Sequence, residues 1–427
     1  MPWRETSYLL GREPNCIGRA RNWATFHPVA AVLLSILGLL LVVTVVVVPT
    51  EWVEISGGTP PACSKGGVAA VMSGPSRGTG EAEPFLSIFS GDAKHGELIA
   101  ATKKYELLPQ AWRDFEVVPD VNFGTPEPRW KSVAVVDSSA TRLFMFGGLT
   151  GTAYPADVWT MAPDEDGNAI WSFVEFEGSA AVAPGRKAAA AVNIGGTMLV
   201  FGGKWCEISK KGKEKHCKEL GDLWTLDLES LSTWEKLWEF AEGSSSPDTG
   251  GPSPRHGHSA TVATIEDEQG RVTDYMVVFA GRADAGYYND VWAWNTRARK
   301  WEDWTPGSAH PTPAKRDHHH VASPQGKRMV LFGGRGDPDT EKHQHKNSNV
   351  LGDLWEFDYK KRKWEAIQPS AGRKPSARFL ADFAEHEETL LVFGGDEESG
   401  KGGRLDDLWQ LNLTTYAWTE LHQGLRC

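Results

Sequence analysis

The sequence predicts an all-β protein of repeated four-stranded sheets preceded by a single membrane-spanning helix. Between residues 140 and 410 an apolar run enters an aromatic residue and a glycine five times: LFMFGG (143–148), LVFGG (199–203), VVFAG (277–281), VLFGG (330–334) and LVFGG (391–395). Each is followed by a D-[VL]-W step, at Trp159, Trp224, Trp292, Trp355 and Trp409. A second tryptophan comes nine to twelve residues later, at Trp171, Trp234, Trp301, Trp364 and Trp418. A repeat of about 50 residues carries one supersecondary unit per copy. The third observation is the run VAAVLLSILGLLLVVTVVVV between Pro28 and Pro49.

Taken in chain order, residues 1–28 form a tail with Arg4, Arg12, Arg19 and Arg21 against Glu5 and Glu13. Residues 29–48 supply 20 apolar or small residues, and a helix of that length spans a bilayer core of about 30 Å. Basic residues before it and Glu51 and Glu54 after it place the tail in the cytosol and the rest across the membrane. A cleaved signal peptide is the alternative. The run exceeds the usual core of about 7–15 residues and no A-x-A-like site follows, which favours an uncleaved type II anchor. Residues 49–62 are a stem that reaches at most about 45 Å.

Each repeat then reads as four strands. HSATVAT (258–264) and KAAAAVNI (187–194) exemplify the first strand and YMVVF (275–279) the second. The D-[VL]-W segment is the third and the segment around the second tryptophan the fourth. Such a sheet cannot bury both faces alone. Radial packing against its own copies solves this and leaves only short edges.

An arginine opens each first strand: Arg129, Arg186, Arg255, Arg316 and Arg378. With the glycine pair and both tryptophans in fixed order, the pattern resembles the kelch repeat over about 300 residues. The resemblance implies a β-propeller of six or seven blades. A degenerate copy upstream supplies the sixth: KGGVAAVM (65–72) puts Lys65 at the arginine position, FLSIFSG (85–91) replaces the first glycine by Ser90, and Trp112 closes the unit. The expected six-bladed propeller occupies 63–427, with blades at about 63–118, 127–176, 184–240, 253–305, 314–368 and 376–427.

Of five cysteines, Cys16 falls in the tail and the other four beyond the anchor, an even number suited to an oxidising space. Cys206 and Cys217 share one loop. A Cys63–Cys427 bond would replace the missing linker between the last and first blades. We expect both disulfides. The sequon Asn412-Leu-Thr marks a glycosylation site.

Lys65, Arg129, Arg186, Arg255, Arg316 and Arg378 are the candidate ligand contacts, on the face that carries the long second-to-third-strand loops. In some kelch propellers, arginine at this position contacts acidic peptides; the alternative is a structural role, paired within its own blade. The loop CEISKKGKEKHC (206–217) adds Lys210, Lys211, Lys213 and Lys215. His318, His320, His343 and His345 are low-ranking metal candidates, the cysteine spacings match no compact zinc pattern, and no metal or other cofactor is expected. Arg335-Gly336-Asp337 and the linker 243–254 carry no further function. A net charge of −11 argues against nucleic acid.

The expected function is a single-pass membrane protein of the plasma membrane or Golgi/endomembrane system, anchored in the lipid bilayer. Its lumenal or extracellular propeller would bind an acidic protein segment or anionic glycan near the membrane. The alternative is a carbohydrate-active propeller enzyme resembling galactose oxidase. Such an enzyme needs a copper site and a Cys–Tyr cross-link; Tyr287 and Tyr288 share their loop with no cysteine.

Overall fold

In the computed structural model, the described residues are 61, 65–75, 82–89, 91–92, 98, 102–108, 110–177, 180–210, 212–241, 250–336, 349–397 and 403–424. They all fall within the unit Gly57–Cys427. The tail, the 29–48 segment, the stem apart from residue 61, Cys63, Cys427, His343 and His345 lie outside the described residues. Among the described residues no helix is long and apolar enough to cross a membrane.

Among the described residues, six sheets follow one another along the chain, each built on four antiparallel strands in sequence order. Blade 1 runs Val68–Pro75, Ala82–Phe89, Thr102–Glu106 and Ala111–Asp114. Its first two strands, which lack the repeat's arginine and glycine pair, still pair over eight residues, Val68 with Phe89 through Pro75 with Ala82. Blade 2 takes Val133–Val136, Leu143–Phe146, Val158–Pro163 and Ala169–Phe173. Val117–Val118, at the end of the stretch assigned to blade 1, instead joins blade 2 as a parallel fifth strand beside Ala169–Ile170. Blades 3 to 6 begin their inner strands at Ala190, Ser259, His320 and Asp382.

The periodic aromatic residues explain why the blades stack. The closing tryptophan of each blade packs on the phenylalanine that precedes the glycine pair of the blade before it. Trp171 meets Phe89, Trp234 meets Phe146, Trp301 meets Phe201, Trp364 meets Phe279 and Trp418 meets Phe332, with ring centroids 4.7–5.1 Å apart. The sixth contact crosses the seam: Trp112 of blade 1 lies 5.4 Å from Phe393 of blade 6. Apolar clusters fill every gap between neighbouring blades, and the seam cluster joins Val71, Leu86 and Tyr105 to Leu391 and Leu408. Burial of this kind contributes about 25 cal/mol per Å² of apolar surface.

A closed ring of backbone hydrogen bonds ties the inner strands together. Lys131 donates to Gly66, Ala188 to Lys131, Gly257 to Ala188, His318 to Gly257, Leu380 to His318 and Gly66 to Leu380, at 2.7–3.1 Å. All six residues take positive φ, between 50° and 66°. The small members at 66, 188 and 257 leave room for the Lys131, His318 and Leu380 side chains. The propeller therefore closes through main-chain bonds at the seam between blades 6 and 1.

Candidate functional site

The repeat arginines occupy the blade interiors. Each guanidinium makes a two-pronged pair, at 2.6–3.0 Å, with the aspartate of its own blade's D-[VL]-W segment: Arg129–Asp157, Arg186–Asp222, Arg255–Asp290, Arg316–Asp353 and Arg378–Asp407. Nε donates to the carbonyl two residues back, and a terminal nitrogen donates to the carbonyl of Gly147, Gly202, Ala280, Gly333 or Gly394. The tryptophan two residues past each aspartate donates its indole N–H to the same carboxylate. These arginines are at most 2% exposed. All five are paired within their own blades in this structure. Lys65 instead reaches blade 6, where its Nζ lies 2.7 Å from Asp396.

The cations that do face the mouth of the ring sit one and two residues past the arginines, or on the second-to-third-strand loops. Asp317, fully buried, accepts two bonds from Arg335 at 2.8 and 3.1 Å, and Arg282 Nε lies 3.2 Å away. Burial pushes its carboxyl up, but His318 and Arg335 outweigh burial and hold it well below the usual range. His318 Nδ1 lies 2.8 Å from Asp317, off the line of an ideal hydrogen bond, and its Nε2 is 2.9 Å from Lys131 Nζ. Lys131 and His318 come from blades 2 and 5, so this contact bridges opposite sides of the ring. Burial, reinforced by Lys187 and Arg335, lowers the Lys131 amine well below its ordinary range. Lys187 pairs with Glu214, which also accepts from Tyr154. Burial draws Lys187 down to about 8, helped by Lys204 and Arg282. Lys204 pairs with Glu219 at 2.8 Å, and Arg404 with Asp92 at 3.1 Å.

Aromatic rings interleave with these charges. Lys187 Nζ lies 5.2 Å from the Trp130 ring centre and 5.8 Å from that of Tyr154, while Arg335 lies 4.9 Å from Phe379. Trp205 is 40% exposed beside them. Tyr287 closes a short hairpin with Arg282, and Tyr288 packs under Arg255 at 4.4 Å.

Cys206 and Cys217 form a disulfide across the hairpin Lys204–Ile208 and Glu214–Glu219. Lys210, Lys213 and Lys215 are exposed, and the hairpin turns Glu214 toward Lys187 and Glu219 toward its own Lys204. His320 is buried between Phe332 and Phe383. Among the described residues no group of three or more His, Cys, Asp or Glu is placed to hold a metal. The Asn412 side chain accepts bonds from the Thr414 and Thr415 amides at the turn. The signal for the mouth residues was positional: residues 130–131, 187, 256, 317–318 and 379 all stand one or two places past an arginine.

Beneath the ring, a cavity of about 240 Å³ is lined by the inner strands of all six blades. Asp382 opens onto it and is 3% exposed, with neither carboxylate oxygen hydrogen-bonded.

A family model described as the KLHDC2/KLHL20/DRC7 Kelch-repeats domain matches residues 82–265 and 244–425. Kelch domain-containing protein 3 of Bos taurus is 25% identical over 315 residues, 72% of this chain and 69% of that protein. The Leucine-zipper-like transcriptional regulator 1 homolog of Drosophila melanogaster is 30% identical over 154 residues, 35% of this chain and 14% of that protein. The Host cell factor homolog hcf-1 of Caenorhabditis elegans is 28% identical over 188 residues, 42% of this chain and 21% of that protein. The matched segment thus spans less than a quarter of two of these three relatives.

Proposed function

Because the chain belongs to the Kelch-repeats domain family described as KLHDC2/KLHL20/DRC7, we propose that it is a binding propeller whose ring-mouth face holds an acidic protein segment. Kelch repeats suggest protein binding. The observation that carries the acidic preference is the gathering of cations at the mouth: Arg335 and Arg282 converge on Asp317 at 2.8–3.2 Å, and Lys131 and Lys187 both lie against the Trp130 ring. Arginine and aromatic residues, which dominate binding energy at protein interfaces, line the same face as Arg282, Arg335, Tyr154 and Trp205. Lys65 contributes at the seam; the five arginines act by fixing the strands that carry the mouth. An anionic glycan would meet the same cations.

The 29–48 segment supports a type II anchor, with the propeller on the lumenal or extracellular side of the plasma membrane or endomembranes. The Cys206–Cys217 bond suits that side. The test is a panel of acidic, neutral and basic peptides, with sulfated glycans alongside, read by binding to the purified protein at several salt concentrations. Acidic peptides should bind best, weaken with salt, and lose affinity in Arg335→Ala but not in Lys361→Ala. Equal binding of all peptides would overturn the reading. A galactose oxidase-like activity would favour the enzyme alternative.

A further inference from the structure

We propose that Lys131 is a nucleophilic lysine, set up by Asp317 and His318, that condenses with the carbonyl group of a small anionic aldehyde. The geometry is a three-residue relay: Asp317 lies 2.8 Å from His318 Nδ1, and His318 Nε2 lies 2.9 Å from Lys131 Nζ. In the tautomer with Nδ1 protonated, Nε2 is left as the base facing the amine. Lysines become nucleophiles when desolvated or placed beside other cations, and Lys131 meets both conditions. Lys187, Arg335 and Arg282 act against its charge, Asp317, Glu214 and Asp92 act for it, and Arg282 Nε donates to His256 Nε2 at 3.1 Å. Burial also holds His318 neutral, well below the usual imidazole range, although Asp317 resists this.

The amine is not sealed away. Lys131 is half-buried and lines a cavity of about 120 Å³ with Gly66, Gly257, His318 and Leu380. The indole of Trp130, 4.6 Å from Nζ, forms one wall. Arg282, whose side chain is 37% exposed, would meet an anionic group on the entering molecule. The step balances without an oxidant or reductant. The Nζ lone pair attacks the carbonyl carbon, His318 Nε2 takes the two nitrogen protons in turn and passes both to the oxygen, and the oxygen leaves as water as the C=N bond forms. The reading is independent of the peptide-binding proposal, because it concerns a covalent bond to a small molecule at one amine.

The test treats the purified full-length protein with glyoxylate and, in parallel, with propionaldehyde, trapping imines with cyanoborohydride and mapping the modified lysines by mass spectrometry. At pH 7, Lys131 should be labelled by glyoxylate at least about tenfold faster than the exposed Lys300. His318→Asn, which tolerates the positive φ of this position, should slow Lys131 and leave Lys300 unchanged. Arg282→Gln should reduce the preference for glyoxylate over propionaldehyde. Labelling of Lys131 no faster than Lys300 in the unaltered protein would overturn the proposal without recourse to any variant. An unchanged Lys131 rate in a folded His318→Asn protein would overturn the relay.

Discussion

Arg186 and Asp222 meet through two hydrogen bonds of 2.6 and 3.0 Å inside blade 3, and Trp224 donates a third to the same carboxylate at 2.6 Å. Burial pushes the Asp222 carboxyl up, but the Arg186 and Trp224 bonds outweigh burial and hold it below the ordinary range. Removing one partner leaves a buried charge alone, which costs about 3–5 kcal/mol. Arg186→Met should therefore destabilise the protein by that amount in urea unfolding. Arg186→Lys should recover little of it, because an ammonium cannot form the planar fork.

The glycine after the phenylalanine, replaced by Ser90 in blade 1 and Ala280 in blade 4, is tightly enclosed in blade 5. Gly333 has φ +70°, and a Cβ there would stand 2.6 Å from the Arg378 carbonyl oxygen of the next blade. That atom is backbone and cannot swing aside. Gly333→Ala should lose about 2–3 kcal/mol or more from strain and clash together, measured by thermal or urea unfolding. Gly195→Ala offers the control: it has φ +60° but nothing within 4 Å, so it pays only the conformational cost.

Why the arginines were open to two readings in the sequence follows from where their partners lie. Arg129 finds Asp157 28 residues on, and Arg316 finds Asp353 37 residues on, across a loop of variable length. Yet the signal was present. The five blades with the arginine are the five with the D-[VL]-W aspartate, and the blade that starts with Lys65 has neither. The strand pattern, by contrast, was legible because each phenylalanine and tryptophan answers to a contact in the adjacent blade. Blade 1 was recoverable because Phe89 and Trp112 keep those contacts despite the lost glycine. The Lys131–His318 contact was not legible: it joins residues 187 apart, at positions whose positive φ nothing in their side chains announces. Likewise Asp382 reads as an ordinary inner-strand residue until the seam is built around it.

Reduction of the hairpin should reach the mouth of the ring. Cys206 and Cys217 hold the strands that present Glu214 to Lys187 and Glu219 to Lys204 and His256. The His256 contact at 3.4 Å, against the pull of burial and with help from Lys204, holds the Glu219 carboxyl down at about 2. Cys206→Ser with Cys217→Ser should cost about 2–3 kcal/mol where the hairpin is intact in the folded state. Hydrogen exchange should rise across 204–219. Affinity for an acidic peptide should rise as well, because the two competing carboxylates are no longer held against the lysines. Unchanged exchange in the hairpin would show that its strands stand without the bond.

The strongest pH dependence should come from Asp382. Burial in the seam between blades 6 and 1 pushes its carboxyl up to about 8, with weak opposition from the Gly67 amide. An unfolded aspartate titrates near 3.9. The folded protein therefore binds a proton that the unfolded chain has released throughout the window from about pH 4 to about pH 8. Stability from this group is complete below the unfolded value and is lost as pH rises through the folded one. The slope is at most about 1.4 kcal/mol per pH unit. Glu385, which burial raises to about 7, adds in the same direction. His258 and His320, both lowered to about 3 chiefly by burial, act oppositely below about pH 6.5. The clean measurement is thus the difference between the unaltered protein and Asp382→Asn, by urea unfolding from pH 4 to pH 9. Asparagine removes the titration while keeping the side chain's size. It should match aspartate near pH 4, become progressively more stable above it, and hold a constant advantage beyond about pH 8. A difference independent of pH would mean that Asp382 is ionised and paired in the folded protein, and that the seam holds a charge.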